Sequence, residues 1–312
     1  MIPVYMINGF LESGKTQFIK YTLAQPYFQT PGKTLLILCE EGEEEYEDTL
    51  LKRARTVVEL IEDEADFTEE SLKYLQKKVN PERIIIEFNG MWNPKNIKLP
   101  SDWKLEQQIT TIDASTFPTY FTNMRSLVAE HVRGSEMIIF NRCDGLESEL
   151  ASYKRNVKAV NSAAEIIFED KDGEVNVSLE EDLPYDVNAD VIELDDKGYA
   201  IWYIDIMDNM ERYDGKTIEY VGNVLKPPKM SSDMFVPGRM AMTCCAEDMT
   251  FLGFICKYAK AGDIPEKEWV KVTAEIKIEE NKAYQGMGPV LYAKDVVTVK
   301  APKEPVIDFS KL

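Results

Sequence analysis

Short apolar runs punctuate the first half of the chain at regular intervals. They are PVYMIN (3–8), TLLILC (34–39), RIIIEF (83–88), ITTID (109–113), EMIIFN (136–141) and AEIIFE (164–169). Continuous runs of this length, without polar alternation, suit parallel strands covered on both faces. Between them SLKYLQKKV (71–79) and NMRSLVAEHV (123–132) carry helical spacing. Strand–helix alternation predicts a doubly wound, mostly parallel α/β sheet, with ligands at the carboxyl ends of the strands. From Tyr199 the pattern changes to strand-like segments divided by turns: YAIWYIDI, KTIEYVGNVL, GRMAMTCC, FLGFICKYA, WVKVTAEIKI and GPVLYAKDVVTVKAP. These predict a small all-β barrel or sandwich. The expected division is 1–170, an acidic linker or edge at 171–198, and 199–312.

Composition narrows the function. A net charge of −19 over 312 residues argues against nucleic acid and against anionic lipid, since both need clustered Lys and Arg. No apolar run reaches the length of a membrane span. The amino terminus lacks a basic-then-apolar export plan, and five cysteines are an odd number, so reduced thiols in a cytoplasm are expected.

The first turn carries the chemistry. PVYMIN is followed by GFLESGKT and then by the helix-forming TQFIKYTLA, so Gly9, Gly14, Lys15 and Thr16 fit G-x-x-x-x-G-K-[ST] in strand–loop–helix context. Backbone N–H groups of such a loop surround phosphates and the lysine reaches the β/γ oxygens. Glu87 ends an apolar strand three residues before Gly90. A carboxylate there can hold magnesium, and a glycine amide can approach a terminal phosphate. Asn141 and Asp144, in NRCD, fit N-[KR]-x-D, where the aspartate accepts from guanine N1–H and the 2-amino group; adenine would leave that carboxylate unpaired.

GFLESGKT, EEGEEEYED, IIIEFNG, ITTIDA, MIIFNRCD and VNSAAEI fall in the order found in CobW-type GTPases, relatives of UreG and HypB, and residues 1–170 resemble that family. The resemblance implies GTP, Mg2+, slow hydrolysis, dimerisation across nucleotide, and service as a switch delivering metals or cofactors to metalloprotein clients. It implies catalytic roles for Lys15, Glu40, Glu43 and Gly90, the two glutamates belonging to an acidic loop that senses the γ-phosphate. The nucleotide-binding set becomes Gly9, Glu12, Ser13, Gly14, Lys15, Thr16 and Gln17 with Asn141 and Asp144; Thr16 and Glu87 take the magnesium. Departures are plain. The family's C-x-C-C is replaced by ELIEDEADF (59–67), whose oxygen ligands favour hard cations over zinc. Phe88 and Asn89 replace two threonines, Arg142 a lysine and Glu12 a glycine.

Residues 199–309 resemble YcgQ-type proteins associated with permeases, whose domain is an oligonucleotide/oligosaccharide-binding (OB)-like barrel. Cys244, Cys245 and Cys256 form a thiol group that could hold a soft metal, with Asp248 as an oxygen ligand; packing is the favoured reading, and zinc is not expected to be held. His131 is expected to be structural. Besides a GTPase, two readings remain open: a nucleotide-holding scaffold with degenerate catalysis and a partner-binding barrel, and a small-molecule kinase.

Overall fold

Ile84, Ile85 and Ile86 are all buried, yet they face opposite ways, because successive side chains of a strand alternate. Ile84 and Ile86 join Val4, Met6, Leu35 and Ile37 under Leu72, Leu75 and Val79 of a helix on one side. Ile85 joins Ile7, Leu36, Ile109 and Ile139 under Ile19 and Leu23 on the other. The two-sided burial is why these runs are apolar throughout.

The computed structural model describes residues 1–42, 44–177, 183–228, 230–242 and 249–309. Two compact units divide the chain, Met1–Val177 and Ser178–Leu312. The strands of the first are β1 (Ile2–Asn8), β2 (Thr34–Leu38), β3 (Thr56–Leu60), β4 (Arg83–Glu87), β5 (Trp103–Asp113), β6 (Met137–Asn141), β7 (Glu165–Asp170) and β8 (Gly173–Glu174). Its helices are α1 (Lys15–Ala24), α2 (Asp48–Arg53), α3 (Glu69–Val79), α4 (Phe117–Asn123), α5 (Arg125–Arg133) and α6 (Glu147–Val160). The sheet order is β3-β2-β4-β1-β5-β6-β7-β8. All pairings are parallel except the terminal β7–β8 hairpin. The unit is therefore the α/β, mostly parallel architecture of P-loop NTPases. Its helix ends follow local chemistry: Thr68 caps α3 by accepting from the Ser71 N–H, and Asn80 closes it in the left-handed conformation.

The second unit contains β9 (Ile192–Glu193), α7 (Asp196–Asp208), α8 (Met210–Tyr213), β10 (Thr217–Leu225), β11 (Met234–Met242), β12 (Met249–Gly253), β13 (Cys256–Lys257), β14 (Trp269–Asn281), β15 (Gly286–Thr298) and β16 (Val306–Asp308). β10 pairs β14, β14 pairs β15, β15 pairs β13 in parallel, β13 pairs β11, and β11 pairs β10 again. β12 and β16 add to β11.

One expectation is overturned. YAIWYIDI is the body of α7, so this unit is not all-β. Tyr199, Ala200, Ile201, Trp202, Ile204 and Ile206 are all buried. A helix apolar on most of its circumference leaves no 3.6-residue signal, and a short apolar run is ambiguous by pattern alone. The deciding cue precedes the run: Asp195 caps the helix by accepting from the Gly198 N–H at 2.6 Å. The stretch 171–198 contributes β8 to one sheet and β9 to the other, and α7 begins inside it. Among the described residues no helix is long and apolar enough to cross a membrane.

Candidate nucleotide site

β1 ends at Asn8 and α1 begins at Lys15, and the turn between them needs unusual backbone. Gly9 and Gly14 have φ of 138° and 96°. A Cβ on Gly9 would lie 2.4 Å from the Thr111 carbonyl oxygen, and one on Gly14 would lie 2.6 Å from Asn141 Nδ2. Both positions require glycine for conformation and for space. Glu12 also has positive φ, 62°, at a cost of roughly 1–2 kcal/mol for a residue with a Cβ. Arg142, itself at φ 54°, steadies that strained residue: its guanidinium donates to the Glu12 carbonyl at 2.9 Å and to Asp113 Oδ2 at 2.5 Å. Ser13 Oγ meets Thr111 Oγ1 at 2.9 Å. No side chain caps the N-terminus of α1. Its first N–H groups face the turn, the arrangement that receives anions.

Lys15 is buried, and its ammonium donates to the Gly9 and Phe10 carbonyls at 2.8 and 2.9 Å while pairing with Glu40. Thr16 donates to Glu87 Oε1 at 2.6 Å, and Tyr46 donates to Glu87 Oε2 at 2.5 Å. Burial raises the Glu87 carboxyl above its usual range; the Thr16 and Tyr46 hydrogen bonds and the Lys15 charge pull it back. A hydroxyl and a carboxylate in contact offer the hard oxygen donors that Mg2+ takes. Lys15, Thr16, Gln17, Glu40, Glu87 and Arg142 are among the residues enclosing a cavity of about 190 Å³ at the mouth of the turn.

A second cavity of about 700 Å³ shares Gly14, Gln17 and Arg142 with the first. It continues past Tyr21 of α1 to Asn141, Asp144 and the β7–β8 turn. Asn141 donates to the Ser13 carbonyl at 2.7 Å, tying the end of β6 to the phosphate-type turn. Asp144 stays half-exposed, 3.9 Å from the Lys171 ammonium. The structure thus brings Glu12, Gly14, Lys15, Thr16, Gln17, Glu40, Glu87, Asn141 and Asp144 to these two adjoining cavities at the carboxyl ends of β1, β2, β4 and β6, while Gly9 and Ser13 shape the turn behind them. Gly90 lies against the turn, where a Cβ would sit 2.5 Å from Gly9 O and Phe10 Cα.

Other expected residues lie elsewhere. Glu43, Cys244, Cys245 and Asp248 are outside the described residues. Cys256 is buried in β13, where burial pushes its thiol up to about 12. ELIEDEADF runs from the end of β3 into a loop; among the described residues no three His, Cys, Asp or Glu side chains gather to hold a metal. Cys39 and Cys143 are separate buried thiols. Sequence reasoning missed Tyr46 and the Arg142–Asp113 contact; Tyr46 is the one that touches Glu87. Its only signal was a lone aromatic in an otherwise acidic segment, CEEGEEEYED.

His131 is buried and hydrogen-bonds the Gly90 carbonyl through Nε2 at 3.0 Å. Burial lowers it to about 4, although the Gly90 contact acts the other way. Between pH 6.5 and 4 the unfolded chain binds a proton that the folded chain refuses. Stability is therefore full above pH 6.5 and is lost as pH falls toward 4. Between pH 7 and pH 4 wild-type protein is expected to lose about 3 kcal/mol more than His131→Gln. Urea midpoints at the two pH values measure this, and an equal loss in both proteins would refute it.

Residues 3–168 match the family model described as CobW/HypB/UreG, nucleotide-binding domain, and residues 171–307 match the DUF1980 C-terminal domain. The second is the YcgQ-type domain expected above. The zinc-regulated GTPase metalloprotein activator 1 of Schizosaccharomyces pombe is 24% identical over 191 residues, 53% of this chain and 45% of that protein. The chain thus spans about half the length of that relative. Among solved structures, hydrogenase maturation factor HypB of Archaeoglobus fulgidus aligns with 20% identity and a TM-score of 0.40, over 58% of this chain and 86% of its own. Zn(II)-bound YjiA GTPase of E. coli aligns with 16% identity and a TM-score of 0.41, over 81% and 94%.

Proposed function

Since the chain belongs to the CobW/HypB/UreG nucleotide-binding family, we propose that its N-terminal unit binds GTP with Mg2+ and hydrolyses it slowly, as a switch in metal or cofactor handling. The observation that carries this is the groove of two adjoining cavities along which Lys15, the Thr16–Glu87 pair and Asp144 are ranged. The N–H groups of the turn and of the first turn of α1 hold the phosphates. Lys15 exchanges its Glu40 partner for a phosphate oxygen, which frees the acidic segment that begins there. Thr16 and Glu87 are the residues that would hold magnesium, which supplies charge neutralisation on the β/γ oxygens. Asp144 reads the guanine edge, and Asn141 keeps β6 registered with the turn. Gly90, packed on Gly9, leaves room for a terminal phosphate beside its amide.

A scaffold with weak catalysis draws support from Glu12, whose carboxylate adds negative charge beside the phosphates. Nucleotide affinity and phosphate release, measured for GTP and ATP with and without magnesium, separate the readings. GTP-selective binding with slow, Mg2+-dependent release supports the switch; binding without release supports the scaffold. Equal affinity for ATP overturns the guanine assignment.

For the second unit we propose a closed five-stranded barrel of the OB kind, preceded by α7. The pairing circuit β10-β14-β15-β13-β11-β10, with β13 and β15 parallel, supports it. The likeness to the Schizosaccharomyces pombe metalloprotein activator favours a metalloprotein client; the YcgQ-type likeness adds a permease as the alternative partner. Transfer of a soft metal through ELIEDEADF is not part of the proposal, because its donors are carboxylates.

A further inference from the structure

Side-chain contacts with Lys15, Glu87 and Lys20 pin the acidic segment after β2 to the nucleotide groove. Glu40 pairs with Lys15, Tyr46 donates to Glu87, and Glu47 pairs with Lys20 of α1 at 2.8 Å. The first is made by the residue type expected to sense phosphate, and the third is exposed. The second is of another kind: a neutral phenol reaching a 5%-exposed carboxylate. Glu87 Oε1 takes the Thr16 hydroxyl, and Tyr46 supplies the donor to the other oxygen. Two donors, one to each oxygen, fix the plane of the carboxylate, as outer partners fix the ligands of metal sites generally. They also favour its charged form against the burial that raises it. The phenol itself remains a donor, because burial and the adjacent Glu87 raise it far above its ordinary range. Its ring packs among the apolar residues under α1, so the hydroxyl can be removed without emptying that space.

We infer that Tyr46 is a positioning residue for the divalent cation, orienting the Glu87 carboxylate toward it. The inference rests on the magnesium role proposed above for Thr16 and Glu87. It assigns a task to a residue that neither the turn nor the base-reading tetrapeptide contains. A carboxylate oxygen has a second lone pair, so Glu87 can accept from Tyr46 and still face a cation or its water. The phenol therefore supports cation binding rather than competing with it.

The test uses full-length protein and fluorescent N-methylanthraniloyl-GDP, titrated with MgCl2 and, separately, in EDTA. Tyr46→Phe is expected to raise the magnesium concentration for half-maximal effect about tenfold, with affinity in EDTA within twofold of wild type. Glu47→Gln, which loosens the same segment away from Glu87, should change neither. In a Glu87→Gln background the Tyr46→Phe change should have no further effect, since the phenol acts through that carboxylate. An unchanged magnesium requirement in Tyr46→Phe overturns the inference. So does an equal loss of affinity in EDTA, which would make Tyr46 a packing residue, or an additive effect on Glu87→Gln. If wild-type affinity does not depend on magnesium at all, the magnesium assignment itself fails; a magnesium-dependent wild type with an indifferent Tyr46→Phe fails this inference alone.

Discussion

Replacing Lys15 with alanine is expected to weaken GTP binding about a hundredfold while the protein remains folded. The ammonium is the buried cation of the groove, and a charge-assisted contact with phosphate lost from a desolvated site is worth roughly 3 kcal/mol. The structure adds a complication that the spacing of the turn could not reveal. Lys15 has protein partners as well, the Gly9 and Phe10 carbonyls and the Glu40 carboxylate. Removing it leaves Glu40, largely buried, without its cation, and that should cost about 1–3 kcal/mol of stability. The two effects separate in the double variant Lys15→Ala/Glu40→Ala, in which no unpaired carboxylate remains. Its unfolding midpoint should return toward wild type, and its GTP affinity should stay low. Calorimetric titration showing wild-type affinity in either variant would refute the phosphate-loop assignment.

What was legible in the sequence follows from which side chains have only one physical reason to be where they are. The β2 and β4 runs could be read as buried parallel strands because a half-exposed strand does not carry three successive large aliphatic residues, as LLIL and III do. Gly9 and Gly14 were legible because a left-handed turn packed on Thr111 and Asn141 excludes any Cβ. The Thr16–Glu87 contact could be anticipated because Glu87 ends β4 and Thr16 opens the helix that follows β1, the strand paired beside it. α7 was misread for the opposite reason: a helix buried around most of its surface and a covered strand have the same composition, and only the Asp195 cap tells them apart. β3 and α6 escaped notice because an edge strand only half buried, TVVEL, and a helix rich in Lys, Glu and Ser carry weak apolar signals. The partners of Tyr46 and Arg142 could not be read, since each joins segments far apart in sequence by a single side-chain contact.

Asp144→Asn is expected to lower GTP affinity by roughly 30–100-fold, the equivalent of about 2–3 kcal/mol for a charged contact made to two donors. The aspartate is half-exposed and has the Lys171 ammonium 3.9 Å away. It is therefore not committed to a partner inside the fold, and its loss should leave the unfolding midpoint nearly unchanged. The amide presents one acceptor and two N–H donors where the carboxylate presented only acceptors. One guanine donor then faces a donor. The same reasoning gives a positive control: a purine carrying a carbonyl at C2 in place of the 2-amino group offers an acceptor to the new N–H. Xanthosine triphosphate should thus bind Asp144→Asn better than wild type, while ATP affinity stays low in both. Because Asn141 holds β6 against the turn through the Ser13 carbonyl, this exchange at the neighbouring position alters recognition without moving the groove. Equal dissociation constants for GTP and xanthosine triphosphate in the variant, with GTP unchanged from wild type, would remove Asp144 from base recognition.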